Sequence, residues 1–158
     1  MPPARVVLDA CVIYDAAVRD LLLRLGFAGL FEPIWSGRIL DECFDALARN
    51  RSELAEEQRL RLRTAMLRAF PKAAHSAIPL NLGLPDPDDV HVVGTAISAG
   101  AAIIVTYNLV DFPIAALQPL GVRAEHPDVF ACALFDESPD MVIGVLPCRC
   151  ASTASDHG

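Results

Sequence analysis

Val6-Val7-Leu8-Asp9-Ala10-Cys11-Val12-Ile13 is a short apolar run, rich in β-branched residues and broken by a single acid. Its length and composition predict a buried strand of a parallel sheet, with Asp9 interrupting it. A second run of the same kind, Ala101-Ala102-Ile103-Ile104-Val105-Thr106, comes almost a hundred residues later. Helical periodicity fills much of the space between. Residues 16–30 carry Val18, Leu21, Leu22, Leu25 and Phe27 on one stripe, weakened at the end by Gly26 and Gly29. Ser36 is placed to cap a helix from Gly37 to about Asn50, with Ile39, Leu40, Cys43, Phe44 and Leu47 as its apolar face. A further helix is expected over about Glu53–Phe70 and closed by Pro71. Asp86-Pro87 reads as an N-cap followed by an N1 proline, opening a helix that runs to Ala99 and stops at Gly100. Short helical segments are expected at 114–118 and within Phe130–Phe135. Strands alternating with helices imply an α/β fold, a central mainly parallel sheet covered on both faces. Ligands of such folds sit at the carboxyl ends of the strands.

The 158 residues suit one domain, read here as residues 1–146 with a disordered polar tail at 147–158. Apolar residues make up 53% and charged residues 21%, as expected of a globular chain with a sizeable core. No apolar run reaches the ~18–20 residues needed to span a bilayer, and the N-terminus lacks a signal-peptide pattern, so a cytoplasmic protein is expected. Cys11, Cys43 and Cys132 lie in apolar surroundings and read as core residues. Cys148 and Cys150 have neither zinc-knuckle nor redox-pair spacing. The net charge of −7 has the wrong sign for a nucleic-acid binder on average. The basic residues are nevertheless clustered: Arg49, Arg51, Arg59, Arg61, Arg63, Arg68 and Lys72 are more than half of the 13. A local strip of this kind can hold phosphates on an acidic protein; its plainer reading is a solvated helix face.

Four acids stand out by position. Asp9 breaks an apolar strand. Glu42 lies at the margin of a helix stripe, Asp89 opens a helix on the face that meets the sheet, and Asp111 follows the second strand closely. Each has a plain structural alternative: Asp9 can bond the amides of a turn, Glu42 can be solvated, Asp89 can complete a capping box with Asp86, and Asp111 can start a turn before Phe112-Pro113. Taken together they can all reach one end of the sheet. At an effective dielectric of about 20, two carboxylates ~4 Å apart repel by about 4 kcal/mol, so a gathered set calls for a cation. No lysine or arginine is expected close enough to serve. Oxygen ligands favour Mg²⁺ or Mn²⁺ over zinc.

The same residues resemble those of the PIN-domain family. Val7-Leu8-Asp9-Ala10-Cys11-Val12 is similar to that family's first strand, and Glu42 after Trp35-Ser36 to its second acid. Pro85-Asp86-Pro87-Asp88-Asp89-Val90-His91 resembles the third motif, in which Asp89 is chosen as ligand for its spacing to Ala96. Thr106-Tyr107-Asn108-Leu109-Val110-Asp111-Phe112-Pro113 resembles the fourth, and His126-Pro127-Asp128 with Phe130 resembles the C-terminal segment of the VapC-like branch. The resemblance covers about residues 6–146. It implies a three-layer α/β/α fold and a Mg²⁺- or Mn²⁺-dependent endoribonuclease, often the toxin of a bacterial toxin–antitoxin pair and often a homodimer. Asp9, Glu42, Asp89 and Asp111 then become catalytic metal ligands, with Asn108 and Thr106 in support. Arg59, Arg61 and Arg63 would track the RNA backbone, and the same strip could instead receive an antitoxin segment.

Readings from other classes remain. One is a non-catalytic PIN-like module that binds RNA or protein; such a module can lose acids freely, and none of the four is missing here. Another is a haloacid dehalogenase-type phosphatase, which wants Asp-x-Asp where this chain has Asp9-Ala10-Cys11. No Gly-rich phosphate loop and no triad pattern appears.

Overall fold

The computed structural model describes residues 2–146. The proposed tail at 147–158, with Cys148 and Cys150, lies outside the described residues. Four short strands form one sheet: β1 (Arg5–Leu8), β2 (Glu32–Ile34), β3 (Ile103–Val105) and β4 (Arg123–Glu125). Their order is β2-β1-β3-β4, and every neighbouring pair is parallel. Val7 faces Ile34 on one side and Ile104 on the other, so β1 and β3 are the central strands. Val6, Val7, Leu8, Ile104 and Val105 are all at most 1% exposed. That is the burial of a sheet covered on both faces, and it explains why these strands read as unbroken apolar runs.

Among the described residues, eight helices carry the connections: α1 (Ala10–Tyr14), α2 (Ala16–Phe27), α3 (Gly37–Asn50), α4 (Glu56–Ala69), α5 (Val90–Ala99), α6 (Ile114–Leu117), α7 (Pro127–Glu137) and α8 (Pro139–Val145). The chain moves from β1 to β2 in one direction and from β2 back across β1 to β3 in the other. Right-handed crossovers running in opposite directions place their helices on opposite faces. Accordingly α5 packs against β1, β2 and β3, while α2 packs against β2 and α8. The result is the three-layer α/β/α arrangement.

Local chemistry sets the element ends. Ser36 Oγ accepts the Ile39 amide at 3.1 Å and starts α3. Asp86 accepts the Asp88 amide at 2.9 Å and starts a single 3₁₀ turn, Pro87–Asp89, which leads into α5. Gly100 ends α5 at φ +67°, a left-handed conformation that a side chain would strain. Gly94 matters for its small size instead. A Cβ there would stand 2.4 Å from the Ile78 carbonyl oxygen, so only glycine lets the 73–80 segment lie on α5.

Three expectations need correction. The run Val6–Ile13 is not one strand: β1 stops at Leu8, and Asp9 caps the short helix α1. Edge strands β2 and β4 and helix α8 went unseen, since three-residue strands and a seven-residue helix leave little periodicity to read. Cys132 is exposed on α7 rather than buried in the core, whereas Cys43 is buried and Cys11 half-buried.

Candidate functional site

Asp9 and Thr106 stand side by side just past the carboxyl ends of the two central strands. The Asp9 amide donates to the Val105 carbonyl at 3.0 Å, and the Thr106 amide to the Glu125 carbonyl at 3.0 Å, so both continue the sheet's hydrogen bonding. Here the crossovers part in opposite directions, which is the switch point where an open α/β sheet forms its crevice.

Asp9 is 5% exposed, and both of its oxygens are held. Oδ1 accepts the Ala10 amide at 2.8 Å, and Oδ2 accepts the Thr106 hydroxyl at 2.8 Å. The turn-amide role considered for Asp9 is therefore real, and it coexists with a place at the centre of the crevice. Thr106 Oγ1 also accepts the Asn108 amide at 3.0 Å, so one fully buried hydroxyl ties the β3 exit loop to Asp9. Cys11 Sγ lies 3.6 Å from both Asp9 Oδ2 and Thr106 Oγ1. Burial, then the charge of Asp9, pushes this thiol up to about 11, which keeps it protonated and weakly reactive.

The other three acids arrive from three separate elements. Glu42 comes from α3, Asp89 from the entry to α5, and Asp111 from a 3₁₀ turn after β3. All three are half-buried. Their proximity is visible in Asp89, whose carboxyl is pushed up to about 7, first by burial and then by the charges of Asp9, Asp86, Asp111 and Glu42. Burial likewise raises Glu42, partly offset by Arg38, with Asp9 and Asp88 adding to the rise. Asp86 is engaged in its cap, Asp88 is exposed, and the Asp89 side chain makes no capping bond. Asp89 is the acid of its motif that is free of a cap and raised by Asp9, Asp111 and Glu42. Asn108 is exposed on the loop above them.

Two neighbours of this cluster were not anticipated. Arg38 Nε lies 3.4 Å from Glu42 Oε1, one helical turn away, contrary to the expectation that no cation stands nearby. The i, i+4 spacing in α3 was the available signal. His91 places Nε2 2.9 Å from the same Glu42 oxygen. Burial, then Arg38, lowers its pKa, so the ring is held neutral.

Among the described residues, no three His, Cys, Asp or Glu side chains close into a ready coordination shell. The donor chemistry still fits a hard divalent cation. The set is rich in oxygen, two of its members are raised by burial and further by neighbouring acids, and an arriving positive charge would favour the ionised form of both.

The arginine strip is dispersed by the fold. Arg59 Nη1 donates to the Leu54 carbonyl at 2.7 Å. Arg63 pairs with Asp41 at 2.8 Å and lies over the Phe44 ring. Arg61 is exposed on another face of α4, beside Thr64 and Arg68. A groove of about 540 Å³ between α2 and α4 is lined by Leu23, Phe27, Leu62, Met66 and Phe70 and includes none of the four acids. No helix of the described residues is long and apolar enough to cross a membrane.

Comparison with known proteins bears directly on this arrangement. The family model for the PIN domain matches residues 5–109, which takes in Asp9, Glu42, Asp89, Thr106 and Asn108 and stops short of Asp111. A protein of Mycobacterium tuberculosis (strain ATCC 25618 / H37Rv) named "Putative ribonuclease VapC50" is 41% identical over 58 residues, covering 35% of this chain and 34% of the relative. The match therefore spans about a third of that relative's length. No solved structure matches. With its parallel four-stranded sheet, its acids at the switch point and two thirds of its length inside the family model, the chain belongs to the PIN domain family.

Proposed function

We propose that this protein is a Mg²⁺- or Mn²⁺-dependent endoribonuclease that hydrolyses RNA phosphodiester bonds. The observation that carries the reading is the set Asp9, Glu42, Asp89 and Asp111, carried on four elements near one end of the sheet, where burial, then the charges of Asp9, Asp86, Asp111 and Glu42, pushes Asp89 up to about 7. Asp9, Glu42, Asp89 and Asp111 would hold the ion. When bound, such an ion polarises a phosphate oxygen and offsets the charge that builds up as the bond breaks.

The chain's own residues take distinct parts. Asp9 is immobilised by Ala10 and Thr106, so it fixes the site's geometry. The Asp89 carboxylate has no competing capping bond; it or Asp9 would orient the attacking water. Thr106 positions Asp9, and Asn108 supplies a hydrogen-bonding side chain at the rim. Arg38, exposed beside Glu42, offers a guanidinium to an RNA phosphate. Arg59, Arg61 and Arg63 remain the proposed track for the flanking backbone, with Arg61 the most exposed of the three.

The toxin role, with a small protein antitoxin as partner and a homodimer as the assembly, is proposed from family membership and from the name of the VapC relative. Calorimetric titration of Mg²⁺ and Mn²⁺, paired with RNA cleavage by wild type and Asp9→Asn, tests the enzymatic reading. Ion-dependent cleavage lost in the variant is expected. An RNA-binding chain that takes up neither ion would instead be a non-catalytic member of the family.

A further inference from the structure

His91 is a buried imidazole to which the four acids assign no role. It sits in the first turn of α5, two positions after Asp89, with a side chain only 6% exposed. Neither Nδ1 nor Nε2 has a hydrogen-bond partner. Nε2 is nonetheless 2.9 Å from Glu42 Oε1. That length suits a hydrogen bond, but the direction of the N–H does not. A buried imidazole with both nitrogens unpaired is costly, and an ion or a water is the usual resolution.

Two donor atoms can stand this close without bonding each other when both face a third body. Adjacent ligands of an octahedral ion, each ~2.1 Å from it, are roughly 3.0 Å apart. Nε2 and Oε1 have that separation. A neutral ring has one nitrogen lone pair to give, and the negative charges of Asp9 and Asp88 also reach the ring. The cation now beside Glu42, Arg38, is itself 57% exposed on a flexible stem and can swing aside.

We propose that His91 Nε2 is a metal ligand alongside Glu42 Oε1, and that it biases the site toward Mn²⁺ over Mg²⁺. Imidazole nitrogen suits transition ions, whereas Mg²⁺ prefers oxygen and keeps its waters. The inference rests on the metal-dependent reading above and narrows its choice of ion.

The test loads the full chain with Mn²⁺ alone and records nitrogen couplings by electron spin echo envelope modulation. A ¹⁴N coupling is expected, replaced by a ¹⁵N pattern when histidine is ¹⁵N-labelled. It persists in the triple variant His75→Gln, His126→Gln, His157→Gln, which keeps His91 alone. It vanishes in His91→Gln, where Mn²⁺ affinity falls on the order of tenfold or more while Mg²⁺ affinity moves less. Should His91→Gln fail to fold, the labelled wild type and the triple variant still decide. Mn²⁺ bound with no histidine coupling would overturn this inference and leave the metal-dependent reading standing. Failure of the wild type to bind either ion would overturn both.

Discussion

The acidic end of the sheet and the arginine-bearing helix α4 organise charge in opposite ways. Asp9, Glu42, Asp89 and Asp111 are scattered from the first strand to the turn beyond the third, yet they meet closely enough for each of the others to raise Asp89. Arg59, Arg61 and Arg63 are near neighbours in the chain, yet the helix sends them apart. Positions 59 and 63 lie one turn apart on the side that meets α3, and position 61 falls on another face. Two of the three are engaged with Leu54 and Asp41. Charge concentrated in sequence is here mostly structural, while charge concentrated in space is left with few partners of its own. Function is more readily sought in the second kind, because uncompensated like charge is kept only where something else balances it.

The sharpest way to break this contrast is Asp9→Asn. The amide oxygen can still accept from Ala10 while its NH₂ turns to donate to Thr106 Oγ1, and the central charge is removed. Divalent-ion-dependent RNA cleavage is expected to fall on the order of a hundredfold or more, with the circular dichroism spectrum unchanged. Undiminished cleavage would mean that the gathered acids are not the working centre. Next in size, Thr106→Val removes the hydroxyl that joins Asp9 Oδ2 to the Asn108 amide. It should cost roughly 1–3 kcal/mol in urea unfolding, with Thr106→Ser restoring most of the loss. Equal damage from serine and valine would point to methyl packing instead.

The pH dependence of the metal-free protein sharpens the contrast further. The Asp89 carboxyl is raised from 3.8 to about 7 in the folded chain. Between those values the folded state holds a proton that the unfolded state has released. Asp89 therefore stabilises the fold fully below about pH 4, and this contribution is lost as pH rises through about 7. Melting temperature should decline across that window without metal, and Asp89→Asn should flatten the decline. A wild-type profile rising with pH there, unaltered in the variant, would show that the carboxylates are not crowded.

The arginines carry the smallest expected effects. Arg63→Ala should lose about 1 kcal/mol of stability, since its Asp41 partner is 63% exposed while Arg63 itself is 30% exposed and covers the Phe44 ring. Arg61→Ala should leave stability within ~0.5 kcal/mol. If α4 tracks RNA, the same change lowers the salt dependence of binding by about one phosphate contact. An unchanged slope in Arg61→Ala, and again in the combined Arg59, Arg61 and Arg63 variant, would remove α4 from the RNA path.

Much of the fold could be read from residue order because strong local signals marked it. Ser36 before an apolar stripe, Asp86-Pro87 before α5 and Gly100 after it each act within a few residues through capping and backbone sterics. The two central strands were visible as apolar runs because they are buried on both faces. The edge strands were not, because Glu32–Ile34 and Arg123–Glu125 are three residues long and exist mainly through pairing with β1 and β3. Asp9 shows the limit most clearly. Its acid among apolar neighbours was legible, but its change from strand residue to helix cap was not, since strand and helix share the same apolar letters over so short a stretch.

By itself, the order of residues determined where the central strands and the long helices lie, and that four acids sit near their ends. Those outcomes depend on propensity, periodicity and caps, which act between near neighbours in the chain. Only the tertiary structure decided that Thr106 grips Asp9, that Arg38 and His91 converge on Glu42, and that α4 parts its arginines. Those outcomes depend on how parallel strands are ordered and which helix crosses which face. Contacts between residues so far apart along the chain leave no mark in local sequence.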